Sequence, residues 1–539
     1  MPFHYKAFLL VMAITAVMFH LARPMFTRFM SHEDFAVRRN LWLALTVAAF
    51  LIPNYWVYTG VAILMVAFAG SKDSNPAALY MFLLLALPPL REAIPGFGLI
   101  KQVFPIDHLR LLSLVLLLPV ALQLVGPTDR YGTGAWPDGS RRARLQPPDF
   151  FLLLYAALQV ALLFPHESVT ASLRRMLLLC LDMLLPYFVV SRLCRSRAAI
   201  VETMASFALA MVVLAPLAWI EFARGWILYA GLEERWGTRH MIGYLMRGEF
   251  LRAQVTGGHA IVLGYAMAVG FGFWLYLMTR VDSMKWRGLA MLTIVGGLVA
   301  TLARGPWVGT AAMLLTYLAL GPQAATRSAK ALGGLAVVGG ILMLTPFGAN
   351  IVDHLPFIGT VSDNTVTYRQ RLAELSWELV LQNPLLGSPY YMAYMEELRQ
   401  GEGIIDVVNT YAGIALSYGL VGMSMFAGFF IATLVRVLRV VRNRSDSDAD
   451  YSLLGASLVT CTVGVLIIIA TTSNYLSIPY VYFVLGALGF AYVQVSRTEQ
   501  PWQPVPLTQP NWATQPGGAA SAGGMTRLLR EGAARRAPR

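Results

Sequence analysis

Thr301-Leu302-Ala303-Arg304-Gly305-Pro306-Trp307-Val308-Gly309 is the stretch on which the reading of this chain turns. Apolar runs flank it on both sides, near Gly288–Ala303 and Trp307–Leu320. An arginine between two such runs is costly enough at membrane depth to stand as a functional residue by default. Glycine suits a helix C-terminus and proline the first position of the next helix, so a break is expected here. The break presents a new helix N-terminus beside a permanent cation, a pairing suited to phosphate or diphosphate. The competing reading is an arginine that snorkels to the headgroups, and this stretch alone does not separate the two.

Outward from the break, the pattern of apolar runs repeats. The 539 residues include only 13 % charged ones, and the mean hydropathy is +0.58. That composition excludes an ordinary water-soluble globule. Apolar segments lie near Tyr5–Ala22, Leu41–Ile52, Trp56–Gly70, Ala77–Leu90, Leu109–Val125 and Phe150–Phe164. More follow near Leu173–Val190, Ala199–Phe222, Ala260–Met278, Leu332–Leu344, Tyr411–Val435, Leu453–Ala470 and Tyr475–Val493. The expectation is an all-α, polytopic helical membrane protein with about 13–15 transmembrane helices. The pair around Pro53 is short enough for a re-entrant hairpin. Cys180, Cys194 and Cys461 are widely spaced and form no CxxC pair, which speaks against a disulfide framework or a zinc cluster.

The net charge of +13 is placed unevenly. Alternate loops are arginine-rich, among them Arg23/Arg28/Arg38/Arg39, Arg141/Arg142/Arg144, Arg192/Arg195/Arg197, Arg280/Arg287, Arg327/Lys330 and Arg436/Arg439/Arg442/Arg444. The positive-inside rule puts these in the cytoplasm, and therefore puts Arg304 at the outer edge. Two longer outer connections join it, Ala223–Gly258 and Pro346–Val408. The expected organisation is N-terminal transmembrane helices over 1–222, an outer loop over 223–258 and further helices over 259–345. A large outer loop over 346–408, C-terminal helices over 409–495 and a disordered, weakly basic cytosolic tail over 496–539 complete it. The first apolar segment lacks a small-x-small cleavage site before Arg23 and reads as a retained helix. No nucleic-acid partner is expected, and the bilayer itself is the evident one.

The outer loops hold the candidate chemistry. In Tyr368-Arg369-Gln370-Arg371-Leu372-Ala373-Glu374-Leu375, Leu372, Leu375 and Leu379 recur at helical spacing. Arg371 has Glu374 three residues on and reads as a surface ion pair. Arg369 has no such carboxylate and is reserved for an external anion, with Tyr368 beside it. Further on, Glu402 and Asp406 are spaced to share one helical face, just before Asn409-Thr410-Tyr411. Burial of Asp406 at the membrane boundary would raise its pKa and suit it to accept a proton from a sugar hydroxyl. The alternative is a carboxylate that stabilises a helix N-terminus. Arg252 and His259 flank the Gly257-Gly258 turn into another helix, although an interfacial histidine is commonly structural. Arg252, Arg304 and Arg369 thus converge on one membrane face, as a lipid-linked diphosphate requires. They would stabilise the leaving diphosphate as the glycosidic bond breaks, replacing a metal ion.

No P-loop or dinucleotide fingerprint is present. The D-x-D pattern Asp446-Ser447-Asp448 lies in a short cytoplasmic loop with no soluble domain around it, so a nucleotide-sugar donor is disfavoured.

Three stretches resemble the bacterial O-antigen ligases and polysaccharide polymerases. Thr301–Trp307 is similar to the family's (S/A)-R-G block. Arg369 through Pro384-Leu385-Leu386-Gly387 is similar to its R-x(14)-P-hydrophobic-hydrophobic-G element. Asn409-Thr410-Tyr411 through Gly419-Leu420-Val421-Gly422 resembles its H-N-x-Y…G-L-x-G element, and Arg252–His259 is a looser match. The resemblance spans about Phe250 to Gly422. It implies a GT-C-like helical glycosyltransferase bundle of the bacterial inner membrane, active at the periplasmic face. It also implies an undecaprenyl-diphosphate-linked donor and metal-independent, inverting transfer without a cofactor. Arg304 and Arg369 would bind the diphosphate with Arg252 beside them, and His259, Tyr368, Asn409 and Tyr411 would contact the rest of the substrate. The family histidine falls at Val408, which leaves the base to Asp406 or Glu402.

That departure favours a polymerase, with a separate chain-length regulator as a candidate partner. A ligase moving finished glycan to lipid A core or protein is the near rival. A transporter for the lipid-linked glycan is the rival of another class, but no internal repeat is evident and the notable charges sit at one edge.

Overall fold

Asn54 shows how the chain turns from one apolar helix into the next. Its side chain accepts from the amides of Trp56 and Val57 at 2.9 and 3.1 Å, so one polar residue starts a helix immediately after Pro53. Ser31 and Ser196 do the same for the helices that follow them. Such caps satisfy backbone donors that lipid cannot.

The computed structural model describes residues 3–96, 98, 102–125, 145–238, 243–321, 363–399, 405–444 and 447–498. The expected segment Leu332–Leu344, Glu402, Asp446 and the tail from 499 onward lie outside these residues. The helices run in the order α1 (Phe3–Phe26), α2 (His32–Leu51), α3 (Tyr55–Lys72), α4 (Pro76–Leu83), α5 (His108–Val125), α6 (Pro147–Leu163) and α7 (Val169–Leu193). They continue with α8 (Arg197–Arg224), α9 (Ala230–Trp236), α10 (Ala260–Leu277), α11 (Met284–Ala300), α12 (Arg304–Leu320) and α13 (Asp363–Gln382). The last three are α14 (Thr410–Arg444), α15 (Ala449–Ile469) and α16 (Ile478–Thr498).

Among the described residues, eight helices are long and apolar enough to cross a membrane, by length and composition: α1, α5, α7, α8, α10 (through Arg280), α14, α15 and α16. The chain is a polytopic helical membrane protein. Shorter helices account for the larger number of apolar runs in the sequence. Ala77–Leu90 is one correction: only Pro76–Leu83 is helical, about 12 Å at 1.5 Å per residue, and those residues are buried all round. The pair around Pro53 forms two full helices of 20 and 18 residues.

Two small hairpins interrupt the all-helical plan. Arg91–Pro95 (β1) pairs with Gln102–Asp107 (β2), and Met246–Arg247 (β3) pairs with Phe250–Leu251 (β4). At one end of the bundle, Arg28 pairs with Asp282, Arg197 with Asp448 and Asp450, and Arg280 also with Asp450. Fully buried Arg38 pairs with Asp73 and Glu202. The other end carries the break at Arg304.

Candidate functional site

The break itself is built by Leu302. Helix α11 ends at Ala300, and Leu302 takes a left-handed φ of 47° before Arg304 opens α12. Glycine does not end the helix, contrary to expectation, and Pro306 falls in the first turn of α12 and not at its first position. Gly305 is needed for another reason: a Cβ there would lie 2.4 Å from the Thr471 hydroxyl oxygen. Arg304 therefore packs beside the loop Thr471-Thr472-Ser473-Asn474-Tyr475 between α15 and α16.

The β3–β4 hairpin closes over the same break. The Arg247 guanidinium donates to the Leu302 carbonyl, Arg252 Nε to the Thr301 carbonyl at 3.4 Å, and the Ala253 amide to the Ala300 carbonyl at 3.1 Å. Beneath the hairpin, Glu221 at the end of α8 is fully buried. Its carboxylate accepts from the amides of Leu228 (2.9 Å), Gln254 (2.9 Å) and Val255 (2.8 Å). Val255 is β-branched yet has φ 42°, a conformation that persists only where its surroundings over-determine it. The sequence marks neither Arg247 nor Glu221. The turn at Gly248 (φ 59°), beside Arg247, is the signal that points to a hairpin.

Arg369 arrives from a third direction, on the first half of α13. The helix seats Leu372, Leu379 and Val380 in a small apolar cluster with Met395, Leu398 and Leu416, and Arg369 stays exposed. Arg371 pairs with Glu374 at 3.5 Å and Glu397 at 3.1 Å, as its spacing implies. Among the described residues, no carboxylate pairs with Arg369, Arg247 or Arg252.

These arginines act on one another. Burial, then the charges of Arg304 and Arg369, push Arg247 down to about 10. Burial and Arg247 do the same to Arg252, also to about 10. Arg304 is lowered by burial and by Arg369. At about 10, Arg247 and Arg252 remain cationic at neutral pH, so the cluster holds mutual repulsion that a bound polyanion relieves.

His259 borders the cluster. Its Nδ1 accepts from the Ile261 amide at 3.2 Å and caps α10, while burial and then Arg252 push its pKa down to about 4. The ring is therefore neutral, with its other nitrogen protonated. It meets Tyr475 edge to face at 5.7 Å. The Tyr475 hydroxyl is raised chiefly by burial and feels both Arg91 and Asp406, which puts Asp406 in the same neighbourhood.

Asp406 lies in the non-helical stretch 405–409, so the expected shared helical face with Glu402 does not exist on its side. Half-buried, it accepts from the Ser473 hydroxyl. Ser473 follows the Thr471 and Thr472 that contact Gly305, so one loop links Arg304 to Asp406. Tyr368 donates to the Asp406 carbonyl at 3.1 Å, and Thr410 to the Thr472 carbonyl at 2.7 Å. Asn409 caps α14 through the amides of Tyr411 (2.9 Å) and Ala412 (3.2 Å). The Tyr411 hydroxyl donates to the Leu466 carbonyl at 2.8 Å. Those two side chains thus hold the helix in place. Ser473 and Tyr475, absent from the sequence reading, complete the group.

A comparison with curated proteins finds no match. Residues 289–427, which carry Arg304, Arg369 and Asp406, match the family model described as O-antigen ligase, and that match supports an O-antigen ligase/polymerase-like superfamily for this part of the chain.

Proposed function

We propose that the protein is a polysaccharide polymerase of the bacterial inner membrane. It transfers a growing glycan from an undecaprenyl-diphosphate carrier to a lipid-linked repeat unit at the periplasmic face. The observation that carries this reading is the cluster of Arg247, Arg252, Arg304 and Arg369 at one end of the bundle, the first three depressed by burial and by neighbouring guanidinium charge. A diphosphate supplies the charge such a cluster needs, and guanidinium groups bind it bidentately.

In the proposed step, an acceptor hydroxyl oxygen attacks the anomeric carbon from the face opposite the diphosphate, which inverts the centre. The bond between that carbon and the diphosphate oxygen breaks, and its electron pair leaves with the diphosphate. Arg304 and Arg369 stabilise the developing charge in place of a metal ion, supported by Arg247 and Arg252. Asp406, oriented by Ser473, accepts the hydroxyl proton. His259, whose Nδ1 is already engaged by the Ile261 amide, serves as a hydrogen-bond donor to substrate through its other ring nitrogen. Tyr368, Asn409 and Tyr411 shape the sugar side, the last two through the backbone they hold.

The lipid-linked glycan pool of a deletion strain tests this reading. Accumulation of single repeat units, restored to polymer by wild type and not by Arg369→Ala, is the expected result. Full-length polymer left on its carrier indicates a ligase. Repeat units trapped on the cytosolic face indicate a transporter.

A further inference from the structure

Helix α13 has three faces. Leu372, Ser376, Leu379 and Val380 are buried against the rest of the outer loop. Arg371, Glu374 and Glu378 form a charged face, partly tied by ion pairs to the turn that follows. The third face is apolar and uncovered: Trp377 is 64 % exposed and Leu381 59 %, one helical turn apart. The apolar exposure continues past the helix through Leu385 and Leu386 to Tyr390 and Tyr394. A run of large apolar side chains this long, rimmed by charge, marks an interaction surface.

The depth of this surface follows from what it is attached to. Helix α14 has 35 residues, about 52 Å, too long for a hydrocarbon core of about 30 Å. It kinks at Gly419, where φ is 63° and ψ −168°. Leu420–Arg444, roughly 37 Å, is the part that spans. Pro384 and Leu385 are hydrogen-bonded to the first residues of that part: the Leu420 amide donates to the Pro384 carbonyl at 2.8 Å, and the Val421 amide to the Leu385 carbonyl at 3.2 Å. Leu420 is itself exposed. On the other side, Tyr390 meets His166 edge to face at 5.5 Å, in the turn between α6 and α7. Exposed Phe164 and Val169 flank that turn. The apolar face is thus continuous with the outer ends of membrane-crossing helices.

We propose that Trp377, Leu381, Leu385, Leu386, Tyr390 and Tyr394 rest in the headgroup layer of the bilayer at the site end of the bundle. The occupant of this face is the lipid surface itself. Tryptophan and tyrosine sit at that level because their rings are apolar and their polar tips stay wet. The charged face of α13 points away from the hydrocarbon, in the manner of an interfacial amphipathic helix. The consequence is that Arg369, on the same helix, is held at the height where a lipid-borne phosphate emerges. This placement stands whatever group the site transfers.

The test uses the full chain in lipid nanodiscs. Spin labels at Trp377→Cys, Leu381→Cys and Leu385→Cys, with Glu378→Cys for contrast, are made on a Cys180→Ser background, because Cys180 is the exposed native thiol. The oxygen-to-nickel-chelate collision ratio is expected to be several-fold higher at the first three positions than at 378. Equal, nickel-dominated collisions at all four would place the loop in water and overturn the proposal. Labels reached by neither reagent would mean that protein, such as a second copy, covers the face, and would overturn it too. An unlabelled check avoids folding artefacts: lipids brominated near the headgroup should quench the fluorescence difference between wild type and Trp377→Phe. An unquenched difference contradicts the placement.

Discussion

Gly387 and Gly419 hold two stretches of backbone closer together than any side chain would allow. A Cβ on Gly419 would lie 2.2 Å from the Leu385 carbonyl oxygen, and one on Gly387 2.5 Å from that of Leu416. Both glycines have positive φ, 63° and 67°. The contact joins the Pro384–Gly387 element to the Gly419–Gly422 element, two motifs that lie far apart in sequence. It sets the 363–399 segment, and with it Arg369, against the kink of α14.

Gly419→Ala should therefore detach the loop. The backbone there occupies a region nearly reserved for glycine, at a cost of roughly 1–3 kcal/mol for another residue before the clash is added. Limited proteolysis should cut the 363–399 segment of this variant much faster than in wild type. Gly413→Ala, where an added Cβ meets nothing within 4 Å, should leave the rate unchanged.

Asp406→Asn should reduce transfer by about 10²–10⁴-fold if the carboxylate accepts the hydroxyl proton. Ser473→Ala removes only its orienting hydrogen bond and should cost less, with a change in the pH–rate profile. Single-turnover rates on a lipid-linked substrate measure both. Wild-type rates in Asp406→Asn would move the base elsewhere.

Glu221→Gln keeps the shape of the side chain but sets an amide among three backbone donors. Leaving a buried donor unsatisfied costs about 1–3 kcal/mol. The melting temperature should fall, and transfer should fall further than stability explains, because the Val255 turn no longer fixes Arg252. Thermal unfolding and activity measured on the same samples separate the two effects.

The depressed His259 value gives a pH dependence of stability. Its folded-state pKa of about 4 lies below the ordinary histidine value of about 6.5. Protons then bind the unfolded chain first as pH falls, so stability is complete above about 6.5 and declines toward pH 4, by at most about 3 kcal/mol. His259→Asn keeps a capping side chain without the titration. Its melting temperature should lose less across that window than wild type loses.

How much of this was legible in the sequence depends on whether a feature is local. The helical membrane class, the Arg304 break and the Arg371–Glu374 pair follow from periodicity and short spacing. The lone status of Arg369 could be read from its neighbours at three and four residues. Arg247, Glu221 and Ser473 could not, because each acts through a partner distant in sequence: Leu302, Gln254 and Asp406 respectively. Helix breaks were also misplaced, since Leu302 takes the strained conformation and Gly305 serves a contact with Thr471. Ala77–Leu90 failed for a similar reason: an apolar run buried by protein on every side need not span.

Binding of the leaving diphosphate by the arginine cluster is the step on which the proposed function rests. The most direct measurement is transfer by purified protein in nanodiscs from a defined polyprenyl-diphosphate-linked repeat unit, comparing Arg369→Ala, Arg247→Ala and Arg371→Ala. Losses of about 10²–10³-fold are expected for Arg369→Ala, the scale of removing one transition-state charge donor, with a smaller clear loss for Arg247→Ala. Arg371→Ala, whose charge is already met by Glu374 and Glu397, should stay near wild type. Equal rates for Arg369→Ala and Arg371→Ala would contradict that binding.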